Sequence, residues 1–247
     1  MKSIFISARL NSSRLPRKAT LELCGNPSIY YLIENLKKSK IAEEIILCTT
    51  LKKEDGALCE IAEISNIKYF RGSSEDKLLR WNDACKEYGV DFFVNVDGDD
   101  LFFDAPLADM CLEQSEDIDF IDGRGLYNDV YGISASALDV VCNMKKGADT
   151  EFIRPHFVNT ARGFSVRKIK NVPDKYKKKD IRMTLDYAED LLFFETVIQH
   201  FKAANLKMTF DGILDYLEKN PDVVEINWFR EQEWKDNQRR MISRVVP

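Results

Sequence analysis

The chain has 247 residues, 45% of them apolar, with 36 Lys and Arg against 41 Asp and Glu for a formal net charge of −5. That length suits one α/β domain carrying an insertion, and the apolar share is ample for a core. The acidic balance excludes broad affinity for nucleic acid, which favours a basic surface, and no apolar stretch reaches the ~18 residues of a membrane span.

Ile4-Phe5-Ile6 reads as a buried first strand. It leads into Ala8-Arg9-Leu10-Asn11-Ser12-Ser13-Arg14-Leu15-Pro16-Arg17-Lys18, which holds four cations and no acid. A loop directly after the first strand of an α/β chain lies at the carboxyl edge of the sheet, where such folds bind ligands. Backbone N–H groups helped by Arg and Lys suit a polyphosphate; a solvated basic loop is the alternative. Asn26-Pro27 is expected to open the first helix, Asn as N-cap and Pro at the first helical position. Ile29, Leu32, Ile33 and Leu36 then form an apolar stripe, with Lys37, Lys38 and Lys40 at the end where cations meet the dipole favourably. Ile45 to Thr50 is a buried strand, residues 54–65 a helix turning Leu58, Ile61 and Ala62 inward, and Lys68-Tyr69-Phe70 a third strand. The βαβαβ order predicts a parallel sheet with helices on both faces.

Arg71-Gly72-Ser73-Ser74-Glu75-Asp76 is the next loop at the same edge, with Ser73 or Ser74 expected to cap a helix that buries Leu78, Trp81, Cys85 and Tyr88. Asp91 to Val96 is the central strand, and it runs into Asp97-Gly98-Asp99-Asp100. Burying three unpaired carboxylates for packing would be costly. Hard oxygen donors at that density suit Mg²⁺, which binds one or two carboxylates plus substrate phosphates; a D-G hairpin turn is the alternative. The next segment, Leu101 to Pro106, does not read as a partner strand. Leu107 to Gln114 reads as a helix and Ile118 to Asp122 as a strand. The α/β rhythm loosens over residues 123–165, where Val130 to Ser134 is a strand and 135–146 a helix. Asp149 to His156 is mixed in charge and aromatic, either functional or a surface helix broken by Pro155. Phe164 to Ile169 is a strand and Lys175 to Lys179 a solvated basic loop. Ile181 to Leu191 reads as a strand, a turn at Asp186 that can cap a helix, and that helix, with Leu191, Phe194, Val197 and Ile198 inward. Residues 207–247 hold two further helical stretches and no legible chemistry.

The motif A-R-x-x-S-S-R-L-P-x-K resembles the nucleotide-binding signature of cytidylyltransferases that make CMP-activated sugars. The likeness is to the 3-deoxy-manno-octulosonate (Kdo) and acylneuraminate cytidylyltransferases, and most to the spore-coat polysaccharide cytidylyltransferase-like group. It covers roughly residues 3–200. The resemblance implies a three-layer α/β/α nucleotidyltransferase, Rossmann-like, with a mostly parallel central sheet. It also implies a single domain over 1–247 with an acceptor and dimer insertion at about 123–165. Carried over by position, Arg9, Ser13, Arg14 and Lys18 contact the nucleotide, in a loop that includes Ala8 and Leu10. Arg17 stands where those families often have Gly. Arg71, Ser73 and Asp76 are implied ribose or base contacts. Gly98-Asp99 matches the group's G-D, making Asp99 a metal ligand, while Asp97, counted with the nucleotide site, and Asp100 depart from the usual residues. Asp186 matches the Asp of "[VL]-D-x-x-E-D-L", which also approaches the metal. Glu151, Arg154 and His156 are the acceptor-site candidates.

The implied reaction is CMP transfer from CTP to a sugar acid or related small acceptor, dependent on Mg²⁺, with pyrophosphate leaving. Lys18, Arg14 and Asp99 would carry the chemistry; Asp97 or Asp100 could serve as base, or the metal could lower the acceptor's pKa unaided. A homodimer is expected through 123–165, where Phe152 and Phe157 suggest an apolar patch. Asp97-Gly98-Asp99 is also a D-x-D, which resembles the metal motif of glycosyltransferases using nucleotide-sugar donors, but that leaves the R-L-P-x-K loop unexplained. A non-catalytic nucleotide-binding protein of the same fold is the third reading. No G-x-G-x-x-G follows the first strand and there is no P-loop, which argues against dehydrogenases and P-loop NTPases. The six cysteines form no C-x-x-C pair and none neighbours His156 or His200, so zinc is not expected. The N-terminus lacks a secretory pattern, so a cytoplasmic protein is expected.

Overall fold

The computed structural model describes residues 1–145, 152–158, 160, 163–177 and 180–245, with only the backbone for 238 and 240–245. In chain order the elements are β1 (Lys2–Ser7), a two-residue hairpin of β2 (Glu22–Leu23) and β3 (Asn26–Pro27), α1 (Ser28–Leu36), β4 (Glu44–Thr50), α2 (Gly56–Ile64), β5 (Lys68–Gly72), α3 (Lys77–Tyr88) and β6 (Phe92–Asp97). Next come α4 (Ala105–Glu113), β7 (Phe120–Gly123), β8 (Val130–Ser134), α5 (Ala135–Met144), β9 (Val166–Lys168), α6 (Ala188–Ala203), α7 (Phe210–Lys219), α8 (Pro221–Trp228) and α9 (Arg230–Val245). The main sheet has the order β5-β4-β1-β6-β8-β7-β9. Every ladder is parallel except those of β8, which runs antiparallel to both β6 and β7.

The period-2 alternation of β1 builds the layers. Ile4 and Ile6 pack with α1, α2, α4 and α6, whereas Phe5 points the other way, into a second core with Leu78, Trp81, Leu138 and Val141 of α3 and α5. Phe5 stacks on Phe93 of β6 at 4.2 Å, and Trp81 meets Phe93 edge-on at 5.5 Å. The result is the three-layer α/β/α fold with a mostly parallel sheet. Because β1, β4, β5 and β6 run together, their carboxyl ends and the loops after them share one edge.

Several local expectations are corrected. Asn26-Pro27 does not cap α1; it pairs with β2, and the cap position falls on Pro27 with no side-chain bond. Neither Ser73 nor Ser74 caps α3, because Asp76 accepts from Leu79 N at 2.9 Å, an N-cap bond to the third helical residue. No strand forms at 181–185; that stretch is irregular, and Asp186 is not the N-cap of α6, a position taken by Tyr187. The C-terminal region holds three helices rather than two. Phe157 is 1% exposed and stacks on Phe120 at 4.8 Å, so it supplies no surface patch. Segment 123–165 gives β8 to the middle of the sheet and α5 to the second core. Gly132 is what lets β8 in, since a Cβ there would stand 2.7 Å from Cys111 Sγ and 2.8 Å from the Phe92 ring.

Candidate active site

The loop after β1 is held from behind. Leu10 N donates to Asp55 Oδ1 at 2.8 Å, and Asp55, 1% exposed, also takes the Thr50 hydroxyl at the end of β4. Arg17 N closes the loop onto Leu10 O at 3.1 Å. Arg17 has φ of +58°, the left-handed region that favours glycine, which accounts for the Gly that the resembling families carry there. Its side chain is exposed. The chain then makes one 3-10 turn at Lys18–Thr20, pinned where the Ser28 hydroxyl donates to Lys18 O at 2.5 Å.

The loop after β6 packs directly on this one. Gly98 N donates to Ser7 O at 2.8 Å, and a Cβ on Gly98 would stand 2.8 Å from Ala8 Cβ and 3.0 Å from Ser7 O. Only glycine allows that approach, and it places Asp99 opposite Lys18. The irregular stretch before α6 adds the second acid, since Leu185 N donates to Asp99 O at 3.0 Å. Three distant parts of the sequence therefore meet at one ammonium. Lys18 Nζ lies 2.5 Å from Asp99 Oδ2 and 2.8 Å from Asp186 Oδ1, and Arg14 Nη2 lies 2.6 Å from the same Asp186 oxygen.

Burial opposes charge at every member of this cluster, and the partners decide the outcome. For Lys18, Asp99 and Asp186 outweigh desolvation and hold the ammonium above its ordinary value. For Asp186, desolvation is overcome by Lys18 and Arg14, which pull its carboxyl down to about 2. Asp99 goes the other way. Desolvation together with Asp186 and Asp97 outweighs Lys18 and pushes its carboxyl up. Asp100, 9% exposed, is pushed well up by burial and by the charges of Asp99 and Asp97. Asp97 is held below its ordinary value because Lys77, 2.7 Å away, overcomes desolvation, and its side chain is 48% exposed. Lys77 lies 5.0 Å over the Trp81 ring, and Trp81 Nε1 donates to Ser7 Oγ at 2.9 Å, tying α3 to the end of β1.

The remaining expected site residues divide. Ala8 and Leu10 are buried in the loop, whereas Arg9 and Ser13 are exposed on it. Arg71 braces the end of β4, donating to Thr50 O at 3.0 Å and Lys52 O at 2.8 Å. Ser73 Oγ accepts from Asp76 N at 3.1 Å, and Asp76 caps α3 and pairs with Lys145. Their visible partners are thus protein groups of the loop itself and its neighbours. Glu151 lies outside the described residues. Arg154 Nε donates to Asp122 Oδ2 at 2.9 Å, and His156 sits half-buried in the same 3-10 turn. Four groups escaped the sequence reading: Asp55, Lys77, the Asp122–Arg124 pair, and Arg182 with Asp190. Only Asp190 had a signal: it is the second Asp of the D-x-x-E-D-L motif and the third residue of a helix, where it can close a capping box.

Asp99 and Asp186 fit a hard divalent cation, since they already share one positive charge and each offers a carboxylate oxygen to it. Among the described residues no group of three or more His, Cys, Asp or Glu gathers as a closed cage. Two acids with substrate phosphates completing the shell is the arrangement Mg²⁺ accepts.

A three-layer α/β/α sheet with a basic loop and two acids at its carboxyl edge is the architecture of a nucleotidyltransferase. The chain belongs to the cytidylyltransferase family, whose profile matches residues 3–231, and it is a CTP-dependent nucleotidyltransferase. An uncharacterized protein of Methanocaldococcus jannaschii is 32% identical over 229 residues, which is 90% of this chain and 92% of that one. A 3-deoxy-manno-octulosonate cytidylyltransferase of Chloroherpeton thalassium is 31% identical over 113 residues, a likeness spanning only 44% of either chain. Among solved structures, a cytidylyltransferase from Leptospira borgpetersenii superposes with a TM-score of 0.79 at 25% identity, covering 90% of this chain and 96% of that one. CMP:2-keto-3-deoxy-manno-octonic acid synthetase complexed with CTP superposes at 0.63 with 13% identity, covering 81% and 98%, and shows the shared fold alone. Family membership sets the glycosyltransferase reading aside. No described helix is long and apolar enough to cross a membrane.

Proposed function

We propose that this cytidylyltransferase moves CMP from CTP onto a small anionic acceptor, a sugar acid of the octulosonate or nonulosonate class, as a step towards surface polysaccharide. The observation that supports it most is the convergence of Arg14 and Lys18 with Asp99 and Asp186 at one point of the sheet edge. A triphosphate brings negative charge to this point, and Arg14 and Lys18 can turn from the carboxylates onto its β- and γ-phosphates. There Arg gives a two-pronged contact and Lys a point charge. Both stabilise the departing pyrophosphate. Asp99 and Asp186 would hold Mg²⁺, which when bound neutralises charge developing on the phosphate oxygens. Arg9 and Ser13, exposed on the same loop, supply further nucleotide contacts. Arg71, Ser73 and Asp76 act by fixing the wall of the 71–76 loop against the nucleoside.

Of the two candidate bases, Asp97 is the accessible one and Asp100 is buried. Asp97 is half-exposed, but Lys77 lowers its carboxyl and so weakens it as a base, which leaves a metal lowering the pKa of the attacking hydroxyl as the other route. For Asp100, burial with the charges of Asp99 and Asp97 raises the carboxyl. We read the acceptor end as lying near Asp122 of β7, which is in the same rung of the sheet as Tyr131 and Asn95. Arg124 and Arg154 both approach it through Nε, at 3.1 and 2.9 Å. Their terminal nitrogens donate to none of the described residues. Two guanidinium groups on one acid leave a net positive charge and two forks, suited to a carboxylate. The chain is proposed to pair as a homodimer across 123–165, where Val140 and Met144 are 41% and 57% exposed on α5. A cytoplasmic setting is supported by six free cysteines, as expected of a reducing compartment.

The test is a pyrophosphate-release screen of four nucleoside triphosphates against sugar acids, polyols and phosphorylated small molecules. Release with CTP and a sugar acid is the expected result. Release only with a neutral polyol or a phosphorylated acceptor would overturn the acceptor class.

A further inference from the structure

Arg182 lies in the irregular stretch before α6, and its side chain is wholly buried. Its Nε donates to Asp190 Oδ1 at 2.8 Å and its Nη2 to Asp190 Oδ2 at 3.0 Å, a two-pronged pair. Nη2 also stands 3.5 Å from Asp186 Oδ2, and Nη1 stands 3.3 Å from Glu231 Oε2 on α9. Asp190 Oδ2 accepts from the backbone N–H of Asp186 at 2.8 Å and of Tyr187 at 2.9 Å. Asn227 of α8 donates to Asp190 Oδ1 at 2.9 Å and to Arg182 O at 3.2 Å. The Tyr187 and Trp234 rings flank the guanidinium at 5.4 and 5.8 Å.

Stability alone is a weak reason for such a network. A buried ion triad is often no more stabilising than apolar side chains of the same volume. What the network does accomplish is to fix Asp186 from behind. Asp190 holds its backbone and Arg182 faces its rear oxygen, Oδ2. The front oxygen, Oδ1, meets Arg14 and Lys18. When those two cations turn to phosphate, only the rear contacts keep the carboxylate aimed.

We propose that Arg182 is a positioning residue for Asp186, and that α8 and α9 are part of the active-site framework through Asn227 and Glu231. The proposal rests on the assignment of Asp186 as a metal-holding acid. Partners of this outer kind commonly change metal affinity by roughly 10–100-fold when altered.

The test needs no acceptor. Mn²⁺ binding to the CTP complex is followed by electron paramagnetic resonance, CTP binding by calorimetry, and folding by melting curves. Arg182→Lys keeps the charge and loses the fork; it should weaken Mn²⁺ binding about tenfold or more while CTP alone binds within about threefold of wild type. Glu231→Gln, at the 10%-exposed rim of the network, should give a smaller loss in the same direction with the fold intact. In an Asp186→Asn background Glu231→Gln should cause no further loss, because it acts through Asp186. Should Arg182→Lys fail to fold, Glu231→Gln and the double variant decide. Wild-type Mn²⁺ affinity in Asp186→Asn would overturn the assignment on which the proposal stands. Lost Mn²⁺ binding in Asp186→Asn, with unchanged binding in Arg182→Lys or Glu231→Gln, would overturn the positioning role itself.

Discussion

Asp99 and Asp186 flank the same ammonium, yet their surroundings push them in opposite directions, and this separates their stability from their chemistry. Asp186 gives up its proton more readily folded than unfolded, its carboxyl falling from an ordinary 3.8 to about 2. Its pairing therefore contributes stability above about pH 4 and loses it as pH falls toward 2, a term of about 2 kcal/mol. Asp186→Asn should lower the melting temperature at pH 7 by roughly 4–8 °C. The gap to wild type should narrow between pH 4 and pH 2, which calorimetric scans across that range would show. Asp99 has the opposite sign, since the folded state favours its proton. Asp99→Asn relieves repulsion from Asp186 and Asp97 while giving up the Lys18 pair, and it should melt no lower than wild type at pH 7. Both variants should lose roughly 10²–10³-fold or more in single-turnover pyrophosphate release. Near-wild-type turnover in Asp99→Asn would place the chemistry elsewhere. Lys18→Ala should weaken CTP binding by about tenfold more than CMP binding, because a contact to the β- or γ-phosphate has no counterpart in the monophosphate. Equal losses for the two nucleotides in calorimetry would place Lys18 away from those phosphates.

At the scale of elements, the site depends on how closely two loops approach. Gly98 is the contact point, and Gly98→Ala drives a methyl group against Ala8 Cβ at 2.8 Å. Overpacking of this kind typically destabilises by about 1–3 kcal/mol. The strain falls between the loop after β1 and the loop after β6, so CTP affinity should fall with stability. A variant that melts lower but binds CTP as tightly as wild type would show that the loops move independently. Asp55 acts in the same way from behind. Asp55→Ala removes the acceptor for Leu10 N and the partner of the Thr50 hydroxyl, leaving buried polar groups unsatisfied at about 1–3 kcal/mol. A loss in CTP affinity is expected even though Asp55 is buried beneath the loop rather than exposed on it.

At the scale of the whole molecule, residues 181–190 join the sheet edge to the C-terminal helices. α6 and α8 pack on each other, and Asn227 and Glu231 meet Arg182 and Asp190 beneath Asp186. The C-terminal third is therefore bound into the domain that carries the nucleotide loop, and unfolding should be a single transition by fluorescence and circular dichroism. Association is read separately. Light scattering at micromolar concentration should give the mass of a dimer, twice the 28.6 kDa of one chain. Because Phe157 is buried, Val140→Lys on α5 is the sharper probe, and a monomer is its expected outcome. An unaltered dimer would move the interface off that face.

The strands and helices that form from local pattern were legible in the sequence. The alternation in Ile4-Phe5-Ile6, the stripe of Ile29, Leu32, Ile33 and Leu36, and the Val130 to Ser134 strand depend on periodicity that each segment carries within itself. The basic loop after β1 and the acids after β6 could be placed because a strand end followed by a charged loop falls at a predictable edge of a parallel sheet, while the roles of Arg14, Lys18, Asp99 and Asp186 came from the family motifs they match. Their convergence on one ammonium was not legible, since it is set by Gly98 packing on Ala8 and by Leu185 hydrogen-bonding to Asp99, contacts between segments far apart in sequence. The same reason hides the sign of each acid's pKa shift, which depends on who stands opposite. It also explains why 181–185 reads as a strand but is none. Met183 and Leu185 are buried as the pattern implied, but the backbone between them and Asp186 bonds to Asp99 and to the Asp190 carboxylate rather than to a neighbouring strand. Composition and period determined the layers; the tertiary structure alone decided which charges face one another, because electrostatics depends on distance in space and a sequence gives only distance along the chain.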